Sequence, residues 1–181
     1  TLFSMDRKGC VIYLGSFSKI FCPGYRTGWL IAGSPWMEKY VLAKQAVDLH
    51  SSTIGQREIS CYLEQYPIEE HIVQLRTVYR QRRDAMLEAL NVHMPPDVRF
   101  TKPQGGMFVW VELPEGENAR DLLVRCLPLK VAFVPGGAFY PNGGNEHTLR
   151  LNYSVTKETQ IREGIKRLAQ VIGNERTRRR A

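Results

Sequence analysis

The sequence has 181 residues, 43% of them hydrophobic and 24% charged, with a formal net charge of +7. At about 100–200 residues per domain this is one domain or one and a part, long enough to bury about 70% of its unfolded surface. The balance is that of a soluble globular chain, which excludes a disordered tail or a fibrous repeat. No apolar run approaches the roughly 18–20 residues that cross a bilayer, so no membrane partner is expected.

The N-terminal TLFSMDRKGC lacks the basic-then-apolar pattern of a signal peptide. The charge excess is partly local, because Arg176, Arg178, Arg179 and Arg180 lie in the last six residues. The body is only mildly basic and carries no nucleic-acid motif, so nucleic acid is expected only if a DNA-binding domain is fused upstream. Cys10, Cys22, Cys61 and Cys126 form no CxxC pair. Reduced thiols in a cytoplasmic protein are the simplest expectation. The scattered histidines, His50, His71, His93 and His147, offer no zinc spacing, and no metal is expected.

In chain order, Asp6 to Gly9 reads as a turn and Cys10 to Leu14 as a short strand. Gly28 to Gly33 (GWLIAG) is an apolar run without polar alternation. Such runs are usually strands buried on both faces, as in a parallel sheet covered by helices. Ser34-Pro35 suits the start of a helix, with Met37, Tyr40, Val41, Lys44 and Val47 at helical spacing. Gln56 to Gln65 reads as a second helix. A third runs from Ile68 to about Leu90, with Ile72, Leu75, Tyr79, Met86 and Leu90 on one stripe. Arg76, Arg80, Arg82 and Arg83 fall largely off it and read as a solvated face, with a basic binding face as the other possibility.

The character changes at His93-Met94-Pro95-Pro96, where a domain boundary is expected. Gly106 to Leu113 is a strand with Phe108 and Trp110 on one face and Val109 and Val111 on the other. Asn118 to Leu127 is a short helix, and Val131 to Val134 a strand ending in Pro135-Gly136-Gly137. Pro141 to Gly144 is a loop and Thr148 to Ser154 a strand. Thr156 suits an N-cap before a final helix carrying Ile161, Ile165, Leu168 and Ile172. The expected organisation is α/β: residues 1–91 a region of strands, turns and helices ending in the long helix, residues 92–175 a small domain alternating strand and helix, and 176–181 a basic tail.

The most informative stretch is Ser16-Phe17-Ser18-Lys19, followed by Cys22-Pro23-Gly24-Tyr25-Arg26. A lysine amine attacks aldehydes only when deprotonated, and burial or a nearby cation lowers its pKa from about 10.4. Arg26 can serve as that cation, and its guanidinium fork also fits a phosphate. The hydroxyls of Ser16 and Ser18 add donors. A phosphorylated aldehyde, pyridoxal 5′-phosphate, answers all these features. On spacing alone, an ordinary loop lysine with an arginine nearby is the stronger reading.

The segment YLGSFSKIFCPGYRTGWLIAG closely resembles the lysine segment of class I/II aminotransferases, the fold-type I pyridoxal phosphate enzymes. It is most similar to the branch with 2-aminoadipate aminotransferases and MocR/GabR-type regulators. KPQGGMFVWVELP, VAFVPGGAFY and LRLNYS resemble later segments of that family, in its order. The resemblance implies an internal aldimine on Lys19, which also moves the proton between the substrate α-carbon and the cofactor. It implies phosphate contacts from Arg26 and Ser16, with Ser18 a weaker candidate. It implies that Arg150 clamps the substrate carboxylate; read without the family, Arg150 is an exposed strand arginine.

The implied activity is amino-group transfer between an amino acid and a 2-oxo acid in a homodimeric enzyme. Two alternatives accompany it: the effector-sensing domain of a MocR/GabR-type transcription factor, and a folded remnant without cofactor. The family's glycine-rich phosphate loop, its stacking aromatic ring and its pyridine-binding aspartate belong upstream of the lysine. None has a counterpart here, so the resemblance implies an incomplete subunit, with residues 1–91 the C-terminal part of the large cofactor-binding domain, a mixed sheet with helices and the linking helix.

Overall fold

Asp6 organises the first turn of the chain. Its carboxylate accepts from the backbone N–H groups of Lys8, Gly9 and Val11, at 2.9, 3.1 and 2.7 Å. These bonds, that from Val11 foremost, hold its carboxyl below the ordinary carboxylate range. In this computed structural model, which describes the backbone of residues 1–180 and the side chains of 1–174, Val11 therefore belongs to the turn. The first strand, β1, begins only at Tyr13 and runs Tyr13–Ser16, later than the expected Cys10. The basic tail expected over 176–181 lies outside the described side chains.

The strand β2, Gly28–Ile31, pairs with β1 antiparallel, Gly15 opposite Trp29 and Ser16 opposite Gly28. This corrects the reading of GWLIAG as a parallel strand covered on both faces. β2 is half exposed, and Leu14 and Ile31 stand in solvent. An apolar run reports hydrophobicity but does not name its pairing partner.

Helix α1, Ser34–Asp48, starts one residue earlier than expected, with Gly33 at the N-cap and Pro35 in the first turn. Helix α2, Thr53–Gln65, also starts early, because the Ser52 hydroxyl accepts from the Gly55 N–H and caps it. Helix α3, Ile68–His93, buries Ala85, Met86, Ala89 and Leu90 near its C-terminal end, while Ile72, Leu75 and Tyr79 of the expected stripe are half-buried. The chain divides into two compact units, Thr1–Leu75 and Arg76–Ala181, so the division falls inside α3.

The C-terminal unit holds a four-stranded antiparallel sheet in the order β3-β4-β6-β5. Its strands are β3, Arg99–Phe100; β4, Phe108–Glu112; β5, Val134–Pro135; and β6, Thr148–Asn152. Thr148 is buried on one face, and Val109, Val111, Leu149, Leu151 and Tyr153 are buried on the other. Onto that face pack helix α4, Ala119–Cys126, capped by the Asn118 carboxamide, and helix α5, Glu158–Arg180. Ile161, Ile165, Leu168 and Ile172 all enter the core. The strand expected at 131–134 is shorter: Val131 hydrogen-bonds to the Cys126 carbonyl, and only Val134 and Pro135 join the ladder.

Arg82 and Arg83 correct the solvated-face reading of α3. Arg82 donates to the Ser154 carbonyl and pairs with Glu158 at 3.8 Å. Arg83 donates to the carbonyls of Pro103 and Gln104, at 3.4 and 3.0 Å, and fixes the loop that enters β4. Arg76 and Arg80 are exposed, as expected. No disulfide joins the four cysteines. Among the described residues no helix is long and apolar enough to cross a membrane, and no group of three His, Cys, Asp or Glu side chains could hold a metal.

Candidate active site

Lys19 sits at the tip of a single turn closed by a 2.8 Å bond from the Phe21 N–H to the Phe17 carbonyl. The Ser16 hydroxyl, at the end of β1, accepts from the Ser18 N–H at 3.2 Å and tightens the entry to that turn. Glycines set the base. A Cβ on Gly15 would lie 2.0 Å from the Trp29 ring, and one on Gly28 would lie 2.6 Å from the Gly15 carbonyl oxygen. Only hydrogen fits at either place, so the indole lies across β1 and reaches Phe17, ring centres 4.8 Å apart.

The far side of the segment is held by aromatic packing. Phe21 meets Tyr25 at 5.4 Å and Tyr62 of α2 at 4.6 Å. Tyr25 hydrogen-bonds Glu58, and that carboxylate, followed by burial, pushes the phenol above its ordinary range. The Pro23–Tyr25 3₁₀ turn ends at Arg26 in the left-handed conformation, φ 51°. Arg26 donates both its backbone N–H and a guanidinium N–H to the Pro23 carbonyl, each at 3.3 Å. Leu49, Lys130 and Asn145 share this positive-φ backbone among the described non-glycine residues.

Lys19, Ser16 and Arg26 are exposed and Ser18 is half-buried. This chain alone therefore does not bury the amine, contrary to one of the two influences considered for it. Among the described residues Lys19 has no hydrogen-bond or ion-pair partner and Arg26 faces no carboxylate. The segment thus presents one uncommitted amine, one guanidinium and two hydroxyls, a donor set that fits an anionic aldehyde. Arg26 also lines an apolar cleft of about 810 Å³ beside Gly28, Trp29 and Tyr40; Lys19, Ser16 and Ser18 do not line it.

Arg150 belongs to the other unit, the one that begins at Arg76. On β6 it lies opposite Trp110 of β4 and Val134 of β5. It is half-buried rather than exposed, and its guanidinium carbon lies 4.0 Å from the Phe108 ring centre and 4.4 Å from that of Phe139. Its Nε is buried without a hydrogen-bond partner. A buried N–H left unpaired costs about 1–3 kcal/mol, so the group is primed for an acceptor. Strand alternation puts Phe108 and Trp110 on one face of β4, but only the observed pairing with β6 brings Phe108 beside Arg150. Phe139 arrives on the Gly136–Phe139 3₁₀ turn after β5.

These features define an α/β chain of the kind that builds pyridoxal phosphate-dependent transferases. The family model for aminotransferase class I and II matches residues 1–168, and the chain belongs to that family, whose cofactor is pyridoxal 5′-phosphate. It is 46% identical over 170 residues to aromatic-amino-acid aminotransferase 1 of Thermococcus litoralis, covering 94% of this chain and 41% of that one. It is 46% identical over 175 residues to 2-aminoadipate transaminase of Thermus thermophilus, covering 95% and 44%.

The crystal structure of LysN, an α-aminoadipate aminotransferase of Thermus thermophilus complexed with N-(5′-phosphopyridoxyl)-L-leucine, superposes with a TM-score of 0.92 at 44% identity. That match covers 96% of this chain and 45% of the other. HTH-type transcriptional regulators match at lower identity, 31% for YisV of Bacillus subtilis. The chain spans less than half the length of the curated aminotransferases it matches.

Proposed function

We propose that this chain forms the lysine-bearing part of an aminotransferase that exchanges an amino group between an amino acid and a 2-oxo acid. The carrying observation is the family match across residues 1–168, which includes the Lys19 segment. The higher identity to aminotransferases than to regulators favours catalysis over effector sensing. A homodimer acting in the cytoplasm accords with this reading.

In it, Lys19 holds pyridoxal phosphate covalently through its amine and moves the proton at the substrate α-carbon. Arg26 and the Ser16 hydroxyl, with Ser18 beside them, bind the phosphate. Arg150 receives the substrate α-carboxylate. When bound, the cofactor supplies an electron sink for the α-carbon. Incubation with pyridoxal phosphate followed by borohydride should add the reduced cofactor mass to the peptide holding Lys19. Labelling spread evenly over surface lysines such as Lys8 and Lys39 would refute the assignment.

Arg26→Gly separates strain from binding. Glycine relieves the left-handed backbone, so stability should stay level or rise by up to about 1 kcal/mol. Loss of the charged donors should weaken pyridoxal phosphate binding about 10- to 100-fold, from roughly 1.5–3 kcal/mol of charge-assisted hydrogen bonding. Urea midpoints and equilibrium dialysis read the two effects separately.

A further inference from the structure

We propose that Phe108 and Phe139 are positioning residues that hold the Arg150 guanidinium ready for a carboxylate, one ring from each side of β6. The inference rests on the reading of Arg150 as a carboxylate clamp and adds what keeps that clamp in place. Phe108 comes from β4 and Phe139 from the turn after β5, the two strands that flank β6 in the sheet. Their ring centres lie 4.0 and 4.4 Å from the guanidinium carbon.

No carboxylate among the described residues orients Arg150. Among the described residues it has no ion-pair or hydrogen-bond partner, and its Nε is buried and unpaired. An acidic partner would orient the side chain but would compete with an incoming carboxylate for the same donors. Aromatic faces attract the cation and leave every N–H uncommitted. Trp110 backs Phe139 edge-on, ring centres 5.7 Å apart, and Tyr140 meets Trp110 at 6.3 Å, so the outer ring is itself supported. Without the rings, a rotamer-rich arginine must be ordered at the moment of binding, which weakens binding.

The test uses the full chain and acetate as the probe, read at the Arg150 Nε–H resonance by NMR. In the wild type the rings should displace that resonance from those of exposed arginines, and acetate should shift it. Phe108→Leu and Phe139→Leu should remove the ring-induced displacement and raise the acetate dissociation constant about three- to tenfold. Phe108→Tyr and Phe139→Tyr should restore both. Phe139 is exposed, so Phe139→Leu decides the matter if Phe108→Leu fails to fold. Wild-type affinity in the leucine variants, with acetate still shifting the Arg150 resonance, would overturn the positioning role and leave the clamp standing. An Arg150 resonance indifferent to acetate would overturn the clamp itself.

Discussion

Lys19→Ala should lower amino-group transfer by the complete protein, supplied with pyridoxal phosphate, by at least about 10²–10⁴-fold, the usual contribution of a positioned acid–base group. The covalent role of the amine adds to that loss. Local structure decides why the loss should be clean. The Phe17–Phe21 turn and the Ser16 cap set where the lysine emerges, and among the described residues none engages its amine. Alanine leaves that turn intact, because Lys19 is exposed and supports no packing. An activity loss therefore cannot be blamed on misfolding, and unchanged circular dichroism with lost turnover is the expected pair. Turnover within a few fold of wild type would remove Lys19 from the mechanism.

The second large effect concerns stability. Gly136→Ala should destabilise the C-terminal unit by about 3 kcal/mol, at the upper end for overpacking a closed site. A Cβ there would lie 2.0 Å from Thr148 Oγ1, 2.8 Å from Thr148 Cβ and 2.9 Å from its backbone carbonyl carbon. Thr148 cannot rotate aside freely, since it is 1% exposed and its hydroxyl donates to the Asn145 carbonyl at 2.7 Å. Relief must come from backbone movement between the Gly136–Phe139 turn and β6, the two elements that carry Phe139 and Arg150. Gly105→Ala supplies the comparison: nothing lies within 4 Å of its Cβ, and its urea midpoint should stay near wild type. Equal midpoints for the two alanine variants would contradict a packing clash at Gly136.

The C-terminal unit was legible in the sequence because its signals were local and answered within the chain. Alternation separates Val109 and Val111 from Phe108 and Trp110, and the helical spacing of Ile161, Ile165, Leu168 and Ile172 finds the core onto which the two valines pack. The N-terminal unit was less so. GWLIAG is apolar enough for a covered strand, yet its observed partner is the neighbouring β1 and one edge of its surface is open.

The candidate site divides the same way. Lys19 and Arg26 stood out through residue chemistry close together in sequence. The rings around Arg150 come from separate strands, and Phe139 is brought there by a turn whose path no periodicity encodes. Arg82 and Arg83 looked like members of a charged face, but the carbonyls that engage them, at Ser154, Pro103 and Gln104, are remote in sequence.

Ile59 is the only hydrophobic residue of Thr1–Leu75 among the described buried ones; the others all follow Leu75. Heat-capacity change on melting tracks the apolar surface newly wetted, about 0.45 cal/K/mol per Å². A calorimeter should therefore record an endotherm whose heat-capacity step comes mainly from Arg76 onward. The lysine-bearing half, whose packed rings Phe17, Phe21, Tyr25, Trp29 and Tyr62 are only half-buried, should contribute the smaller share of that step.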